Sequence, residues 1–357
     1  MEATFLNGDL ESSFTLDVFK SFLWIDRFAE YGDFEITVSP TENILSGLLI
    51  SKYINVKESD HAMVIEDISI ESDPEEGNTL IIKGRSLESI LTTRIVWNPT
   101  VLTGNFQDAI SLILTENAIN PTDTDRKITK LEFVASTDPV ITALTIDNQA
   151  YGETLYDVLH AVCLAKNIGF KITITTTNKF RLELYAGKDR SYDQTTNSYV
   201  VFSPSFDNLM NSNYQMSNRF TKTVALVAGE MGVGNIRTSG VAANPAGTTD
   251  LDRKEIFVDA QSIGRNSYGE TPLTDEEYLA KLVEKGNEVL GENVPIELFD
   301  GQAIIDSMYV FGVDYFMGDI IQISNEYGNE SKSRIIEMKY FQDPAGVKMT
   351  PTYSAIV

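Results

Sequence analysis

The chain has 357 residues, of which 42% are hydrophobic and 10% aromatic, a composition that supports packed cores and argues against intrinsic disorder. Its formal net charge is −24, from 52 acidic and 28 basic residues, which argues against a surface that binds nucleic acid or an anionic membrane. The single cysteine excludes a disulfide within the chain.

The first hundred residues have the pattern of β-structure. The N-terminal residues lack the basic start and apolar core of a signal peptide, and no apolar run approaches the roughly 20 residues of a membrane helix, so we expect a soluble protein made in the cytoplasm. In FAEYGDFEITVSP the alternate residues Phe34, Ile36 and Val38 are apolar, which predicts a half-buried strand. SGLLISKYINVK, HAMVIEDISIES and TLIIKGRS are further strand candidates. This spacing predicts a small barrel or sandwich.

From about Trp97 the pattern changes to helices followed by a hairpin. TGNFQDAISLILTENAI has apolar residues at helical spacing after Asn105, a suitable N-cap. ETLYDVLHAVCLAKNIGF predicts a second helix, with Gly169 at its C-terminus. FKITITT and KFRLELYAG then predict a hairpin with its turn around Asn178. Together these segments predict an α+β module of about a hundred residues.

After Ser203 the β pattern returns. TKTVALVAGE, DIIQIS and IEMKYF are strand candidates, separated by the polar loop TSGVAANPAGTTD. TPLTDEEYLAKLVEKGNEVLG predicts an acidic helix, because Thr274 and Glu277 have the spacing of a capping box. We find no exact repeat in the sequence.

Glycines 229, 232 and 234 in VALVAGEMGVGNIR suggest a phosphate-binding loop at first sight. A P-loop requires Gly-Lys-Ser/Thr, and no Lys follows these glycines. A dinucleotide fingerprint requires a long helix after the strand, but NIRTSGVAANPAG does not favour one. The segment therefore predicts a strand that ends in a flexible hairpin.

The other candidate residues for chemistry are few. His61 follows a probable loop, and His160 and Cys163 share one predicted helix without the further ligands that zinc requires. TDTDR and TDLDR lack the glycine and distal glutamate of a calcium loop. No G-x-S-x-G elbow supports a hydrolase triad. We expect no catalytic, cofactor-binding or metal site.

Five segments, in order, resemble the siphovirus Gp37-like tail proteins, which belong to the phage baseplate hub proteins. They are FKSFLWIDRFAEYGDFEITVSP, LIIKGRSLESILTTRIVW, ETLYDVLHAVCLAKNIGFKI, FSPSFDNLMNSNYQMSNRFTKTVALVAGE and YFMGDIIQISNEYGNESKSRIIEMKYFQDPAGVKMTPTYS. The resemblance implies a β-rich α+β fold with two small β-barrels per chain. We expect the first barrel at 1–98, an α+β domain at 99–200, and a second barrel at 201–357 with a helical insertion at about 236–300.

The resemblance also implies a role. In this class of protein, three chains form a ring whose six barrels meet the sixfold tail tube. The expected partners are two further copies of the chain, the distal tail protein ring, the tail tube protein, the C-terminus of the tape-measure protein, and tail fibre or receptor-binding proteins. DNA passes without specific binding, stable membrane binding is not expected, and the protein is a virion component assembled in the host cytoplasm. Many relatives continue into a lysin or fibre-docking region, whereas this sequence ends just after the second barrel, so we expect no peptidoglycan cleavage.

Two other functions stay open at this point. Abundant carboxylates permit a cell-wall or polysaccharide hydrolase that uses a carboxylate pair. A carbohydrate-binding β protein needs exposed aromatic platforms, and Trp24 and Trp97 are the two tryptophans, both expected in barrel strands or at their edges. For the hub, the acidic charge suggests a lumen that repels phosphates.

Overall fold

The computed structural model describes residues 1–75, 77–232, 234, 236–265, 272–303 and 308–355. Contacts within the chain divide it into two compact units: the first unit combines Met1–Ser212 with Asp300–Ile356, and the second unit is Asn213–Phe299. The chain therefore leaves the first unit once and later returns to it.

Strands dominate the chain. The N-terminal elements are β1 (Ala3–Asn7), β2 (Ser12–Leu16), β3 (Ser21–Arg27), β4 (Asp33–Val38), α1 (Glu42–Leu48), β5 (Ser51–Val56), β6 (Ala62–Asp73) and β7 (Gly77–Ser86). The next are β8 (Thr100–Asn105), α2 (Phe106–Leu114), β9 (Leu131–Val134), α3 (Pro139–Thr142), β10 (Thr145–Ala150), α4 (Leu155–Ala165), β11 (Gly169–Ile174) and β12 (Phe180–Tyr185). The last are β13 (Val201–Phe202), β14 (Leu209–Ser217), β15 (Val224–Met231), β16 (Arg237–Ala243), β17 (Glu255–Asp259), α5 (Asp275–Glu292), β18 (Ile296–Ala303), β19 (Ile320–Ser324), β20 (Glu330–Asp343) and β21 (Gly346–Ala355).

Short helical turns connect some of these elements. Leu87–Thr93, Thr124–Arg126, Pro204–Phe206 and Asp250–Asp252 are 3-10 turns, and Thr115–Ile119 is a π-helical turn.

Eleven strands of the first unit form one sheet. Its order is β13-β19-β20-β3-β4-β7-β6-β5-β1-β2, with β21 paired to β20. The join between its two halves is the antiparallel pairing of β20 with β3, in which Glu337 lies opposite Arg27 and Gln342 opposite Phe22. Strands from both ends of the sequence therefore share a single sheet.

The predicted β-rich α+β class is confirmed, but the closed barrels are not found. Within the residues that the structure describes, the strand path is open and runs from β13 to β2. Alternation of apolar and polar residues marks a strand buried on one face, whether or not its sheet closes, so this pattern does not distinguish the two cases. The boundaries at 98 and 200 stay predictions.

Aromatic side chains occupy the centre of this sheet. Phe22, Trp24 and Phe34 are almost fully buried, and the Trp24 ring lies 6.2 Å from Phe22 and 5.9 Å from Phe34 between centroids. Phe34, Ile36 and Val38 of β4 are buried while the residues between them are partly exposed, as their alternation predicts. Burial of each large apolar side chain contributes about 1.5–3 kcal/mol to folding.

Residues 99–200 contain the predicted helices and hairpin. Asn105 caps α2, since its side-chain oxygen accepts hydrogen bonds from the first-turn amides. Asn178, with a φ of 58°, makes the turn between β11 and β12. The prediction for Gly169 is wrong: this residue begins β11, and Asn167, with a φ of 56°, takes the left-handed position after α4. A side chain at Gly169 would overlap the Tyr185 ring.

A buried ion pair fixes the segment that follows β12. The Arg190 Nε lies 2.6 Å from the Asp319 Oδ2, and both side chains are less than 10% exposed. Asp319 also accepts hydrogen bonds from the backbone amides of Lys188 and Phe316. These contacts attach residues 188–190 to the start of β19.

The second unit is a three-stranded sheet with one long helix against it. The strand order is β16-β15-β17, and Tyr278 and Leu282 of α5 are fully buried with Ala225 and Val227 of β15. The capping box of Thr274 with Glu277 has both of its predicted hydrogen bonds. This unit begins at Asn213, before the expected insertion at 236–300, because β15 pairs with both β16 and β17, and it ends at Phe299.

Gly84 generates a stability prediction. It lies opposite Ile65 and Phe34, and a Cβ atom there would lie 1.7 Å from the Val64 carbonyl oxygen. We expect Gly84→Ala to lower the free energy of unfolding by about 2 kcal/mol or more. Gly8→Ala is the matched control, because the nearest neighbour of its Cβ is the Lys52 side chain at 3.6 Å. Urea unfolding measures both, and equal midpoints for the two variants would contradict the prediction.

Candidate functional site

The glycine-rich segment at the end of β15 leads into a hairpin with β16, as predicted. β15 and β16 pair in antiparallel register, so a strand rather than a helix follows the glycines. A side chain at Gly229 would lie 2.1 Å from the hydroxyl oxygen of Tyr278, and Gly234 has a φ of +78°. Val233 and Asn235 lie outside the described residues. Close packing and a left-handed backbone thus require these two glycines.

His160 and Cys163 both lie on α4. Nδ1 of His160 is 3.0 Å from the carbonyl oxygen of Ala29, while Cys163 is fully buried and burial raises the pKa of its thiol. In TDTDR the Asp123 side chain accepts a hydrogen bond from the Asp125 amide and caps a short turn. Across the described part of the chain, no three His, Cys, Asp or Glu side chains group in a way that could hold a metal ion.

The structure brings three buried ionisable side chains together in the first unit. They are Asp26 on β3, His61 just before β6, and Glu88 in the 3-10 turn after β7. The distance from His61 Nδ1 to Glu88 Oε1 is 3.3 Å. Asp26 accepts hydrogen bonds from Trp24 Nε1 at 2.9 Å and from Ser59 Oγ at 2.7 Å.

The cluster contains the residue types of a hydrolase triad but not its connections. A nucleophilic serine must donate its hydroxyl proton towards the imidazole. Here Ser59 Oγ donates to Asp26 and accepts from the backbone amide of His61. Glu88 Oε1 accepts from the Ile172 amide of β11 at 2.6 Å. These hydrogen bonds connect β3 to the segment before β6, and the 3-10 turn after β7 to β11. The cluster therefore has a structural role.

Mutual charge sets the protonation of the cluster. Burial alone would lower the pKa of His61, but the carboxylates of Asp26 and Glu88 outweigh burial and raise it to about 9. Burial raises the pKa of Asp26, against the opposing effect of the His61 charge. For Glu88 the effect of burial is outweighed mainly by the charge of His61, so the pKa of Glu88 is lowered. His61 is therefore an imidazolium at neutral pH.

Sequence reasoning found His61 but not its partners. The sequence predicts His61 next to a loop, and the structure shows that its side chain is buried, while the neighbouring Asp60 pairs on the surface with Lys171 at 3.1 Å. One signal was available: Asp26 is a lone acidic residue in the apolar run FLWID. The partner Glu88 comes from a different segment, and only the tertiary fold brings it close.

The two tryptophans have different surroundings. Trp24 lies buried in β3, as expected. Trp97 lies in the connection before β8 rather than in a strand, with 57% of its surface exposed. The guanidinium carbon of Arg126 lies 4.6 Å from the centre of its ring, so one face of this exposed aromatic is already occupied.

The second unit exposes an apolar row on one face of its sheet. Leu226 lies opposite Val241 in β16 and Phe257 in β17, and the three side chains are 44%, 55% and 60% exposed. Their strand neighbours Val227 and Ala242 point to the other face, where they are buried with α5. Exposed apolar side chains in register are typical of a surface that contacts another protein.

Among the described residues, no helix is both long and apolar enough to cross a membrane.

The fold is that of phage tail proteins. The 43 kDa tail protein of prophage MuSo2 from Shewanella oneidensis matches with a TM-score of 0.58 and 12% identity, covering 99% of this chain and 98% of that one. The tail protein from Neisseria meningitidis MC58 has a TM-score of 0.57, 11% identity, and coverage of 99% and 96%. Prophage tail protein gp18 from Listeria monocytogenes EGD-e has a TM-score of 0.55, 12% identity, and coverage of 98% and 94%.

The amino-acid sequence also identifies the family to which the chain belongs. The chain belongs to the Siphovirus ReqiPepy6 Gp37-like proteins, whose family pattern matches residues 2–353. The predicted family is therefore confirmed over nearly the whole chain. The protein is accordingly a component of a viral tail. A comparison with curated proteins finds no match. The likeness to the three solved structures concerns the fold alone, since their identities are 11–12%.

The Asp26–His61–Glu88 cluster generates a prediction about pH. Because the pKa of His61 is raised from 6.5 to about 9, its contribution to the free energy of unfolding is complete below pH 6.5 and is lost as the pH rises to about 9. We expect the free energy of unfolding to fall by roughly 3 kcal/mol over this window. Urea unfolding at pH 6.5, 7.5 and 9, followed by tryptophan fluorescence, measures it.

Variants separate this cluster from other sources of pH dependence. His61→Gln leaves two buried carboxylates without their cation, so we expect a loss of about 3–5 kcal/mol at pH 7 and a flatter pH profile. His160→Gln is the matched control, since it leaves the cluster intact and should keep the wild-type slope. The same slope in wild type and His61→Gln would contradict the assignment.

Proposed function

We propose that this protein is the hub of a phage tail tip. Three copies form a ring that joins the sixfold tail tube and the distal tail protein ring to the threefold tip. The observation that carries the proposal is the family match over residues 2–353. The folds of three tail proteins that align over 94–98% of their own length support it.

The proposed ring uses two β-rich parts of each chain. We propose residues 1–98 and 201–357 as the two similar parts that alternate around the ring, with residues 99–200 between them. A threefold ring with two such parts per chain presents six similar contacts, which matches a sixfold partner without a change in chain number. The antiparallel pairing of β20 with β3 supports this arrangement, because it joins the two parts of one chain edge to edge.

The proposed partners are proteins of the tail. They are the distal tail protein, the tail tube protein, the C-terminus of the tape-measure protein, and fibre or receptor-binding proteins. The exposed row of Leu226, Val241 and Phe257 supports a protein contact on the second unit. Assembly takes place in the host cytoplasm, before release of the virion.

The proposed role is structural rather than catalytic. Ser59 donates to Asp26 rather than to His61, so the cluster of Asp26, His61 and Glu88 lacks a nucleophile paired with a base. A net charge of −24 favours a conduit through which DNA slides without binding. A lumen lined mainly by Lys and Arg in an imaged ring would contradict the conduit.

Tail assembly tests the proposed function. We expect purified full-length protein to have the mass of three chains by sedimentation or native mass spectrometry. Cryo-electron microscopy of tails should place the protein at the distal end of the tube. Tails from a phage that lacks the gene should have no tip ring and should not deliver DNA. Normal tails and normal delivery without the protein would overturn the hub.

A further inference from the structure

Two three-strand segments of the first unit have the same plan. They are β5–β6–β7 and β19–β20–β21. In each, a short strand pairs in antiparallel register with the start of a long strand, Tyr53 with Val64 and Ile320 with Arg334. The long strand then turns back into a hairpin with the third strand.

The irregularities of the two segments coincide as well. The long strand has a one-residue bulge between Ile65 and Asp67 in β6, and between Ile335 and Glu337 in β20. Both hairpin turns begin with Asp-Pro and end with Gly, as DPEEG and DPAG. In both turns the Asp side chain accepts a hydrogen bond from the amide two residues on, at 2.7 Å in β6 and 2.8 Å in β20. A constant offset of 270 positions aligns the two bulges and the first residues of the two turns, Asp73 and Asp343.

The segments differ in what lies beside the long strand after the bulge. In β20, residues 337–342 pair with β3. Met338 and Tyr340 there are each 1% exposed. In β6 the described residues provide no strand beside 67–72 except β7, and Ile68 and Ile70, which align with Met338 and Tyr340, are 48% and 51% exposed.

We infer that a strand from a second copy of this chain pairs with the free edge of β6 at residues 67–72. It would occupy beside β6 the place that β3 occupies beside β20. The inference rests on the proposed ring of identical chains and deepens it by assigning the contact. A free edge presents unpaired N–H and C=O groups, and an added strand satisfies them while it covers Ile68 and Ile70.

β14 is the strand of the second copy that fits this edge. In the N-terminal part, β3 and its partner β4 precede β5–β6–β7, and in the C-terminal part the paired strands β14 and β18 precede β19–β20–β21. β14 thus corresponds to β3, and its one partner in the described chain is β18.

Charge also favours β14 at this edge. The exposed part of β6 carries Glu66, Asp67, Glu71 and Asp73, which protect a free edge from unspecific pairing. The β14 segment LMNSNYQMS contains no charged residue. It can therefore approach the acidic edge without repulsion between like charges.

Cross-linking of the full-length protein tests the pairing directly. Four double variants combine Ser69→Cys or Ile70→Cys in β6 with Gln215→Cys or Met216→Cys in β14, so that both faces of each strand are sampled. A short bismaleimide tolerates a small offset in register, and the native Cys163 is fully buried. We expect covalent dimers and trimers from at least one double variant and none from the single variants.

A point variant tests the same edge without a cross-linking reagent. Ile70→Lys places a charge where the added strand packs, and we expect it to raise the dissociation constant for self-association at least about tenfold. Ser69→Lys is the matched control, because it adds the same charge to the neighbouring residue and Lys339 already holds the aligned place in β20. Circular dichroism checks that both variants are folded.

The outcomes separate this inference from the proposed hub. A trimer that gives no cross-link in any pair, and that Ile70→Lys does not weaken, overturns the β6 contact and leaves the ring in place. A cross-link from β6 to another tail protein in assembled tails also overturns it. A monomer at every concentration, with no cross-link, overturns it as well, while the presence of the protein in tails still decides the hub independently.

Discussion

The pairing of β20 with β3 is the constraint on which the first unit depends. It brings together residues such as Arg27 and Glu337, which form a 2.7 Å ion pair although 310 positions separate them in the sequence. The complete sheet therefore forms only after both ends of the chain come together, and such long-range contacts slow folding. The equilibrium cost is smaller, because the entropy of closing a loop grows only slowly with its length. Trp24 and Tyr340, opposite each other at the centre of this pairing, are both buried.

The largely apolar interior of this acidic protein contains two groups of paired charges. His61 lies 3.3 Å from the Glu88 carboxylate and interacts with the charge of Asp26, and Arg190 and Asp319 form a separate buried pair. Each buried charge costs free energy unless a partner and hydrogen bonds compensate it. Both groups join segments that are distant in sequence, so they favour one arrangement of the chain over others. The large negative charge is thus a property of the surface, where solvent screens it.

Local features of this fold could be predicted from the sequence, and long-range ones could not. The alternation in β4, the Asn105 cap and the Thr274–Glu277 capping box depend on a few neighbouring residues, and the structure confirms them. The open sheet and the position of Glu88 depend on segments far apart in the chain, which local patterns do not encode. Gly169 shows the limit within a short stretch, since the left-handed residue is Asn167 two positions earlier. Family resemblance supplied the tail role, which no single residue indicates.

The route by which the chain leaves and re-enters the first unit has an evolutionary consequence. β14 carries the chain out, β18 carries it back, and the two strands are hydrogen-bonded neighbours. Paired strands lie only about 5 Å apart, so the exit and the return are close enough for a tight turn to bridge them. Recombination can therefore delete, enlarge or exchange the intervening eighty-odd residues (Asn213–Phe299) while the scaffold persists. Phages that share this scaffold can therefore diversify by exchanging this one segment between β14 and β18.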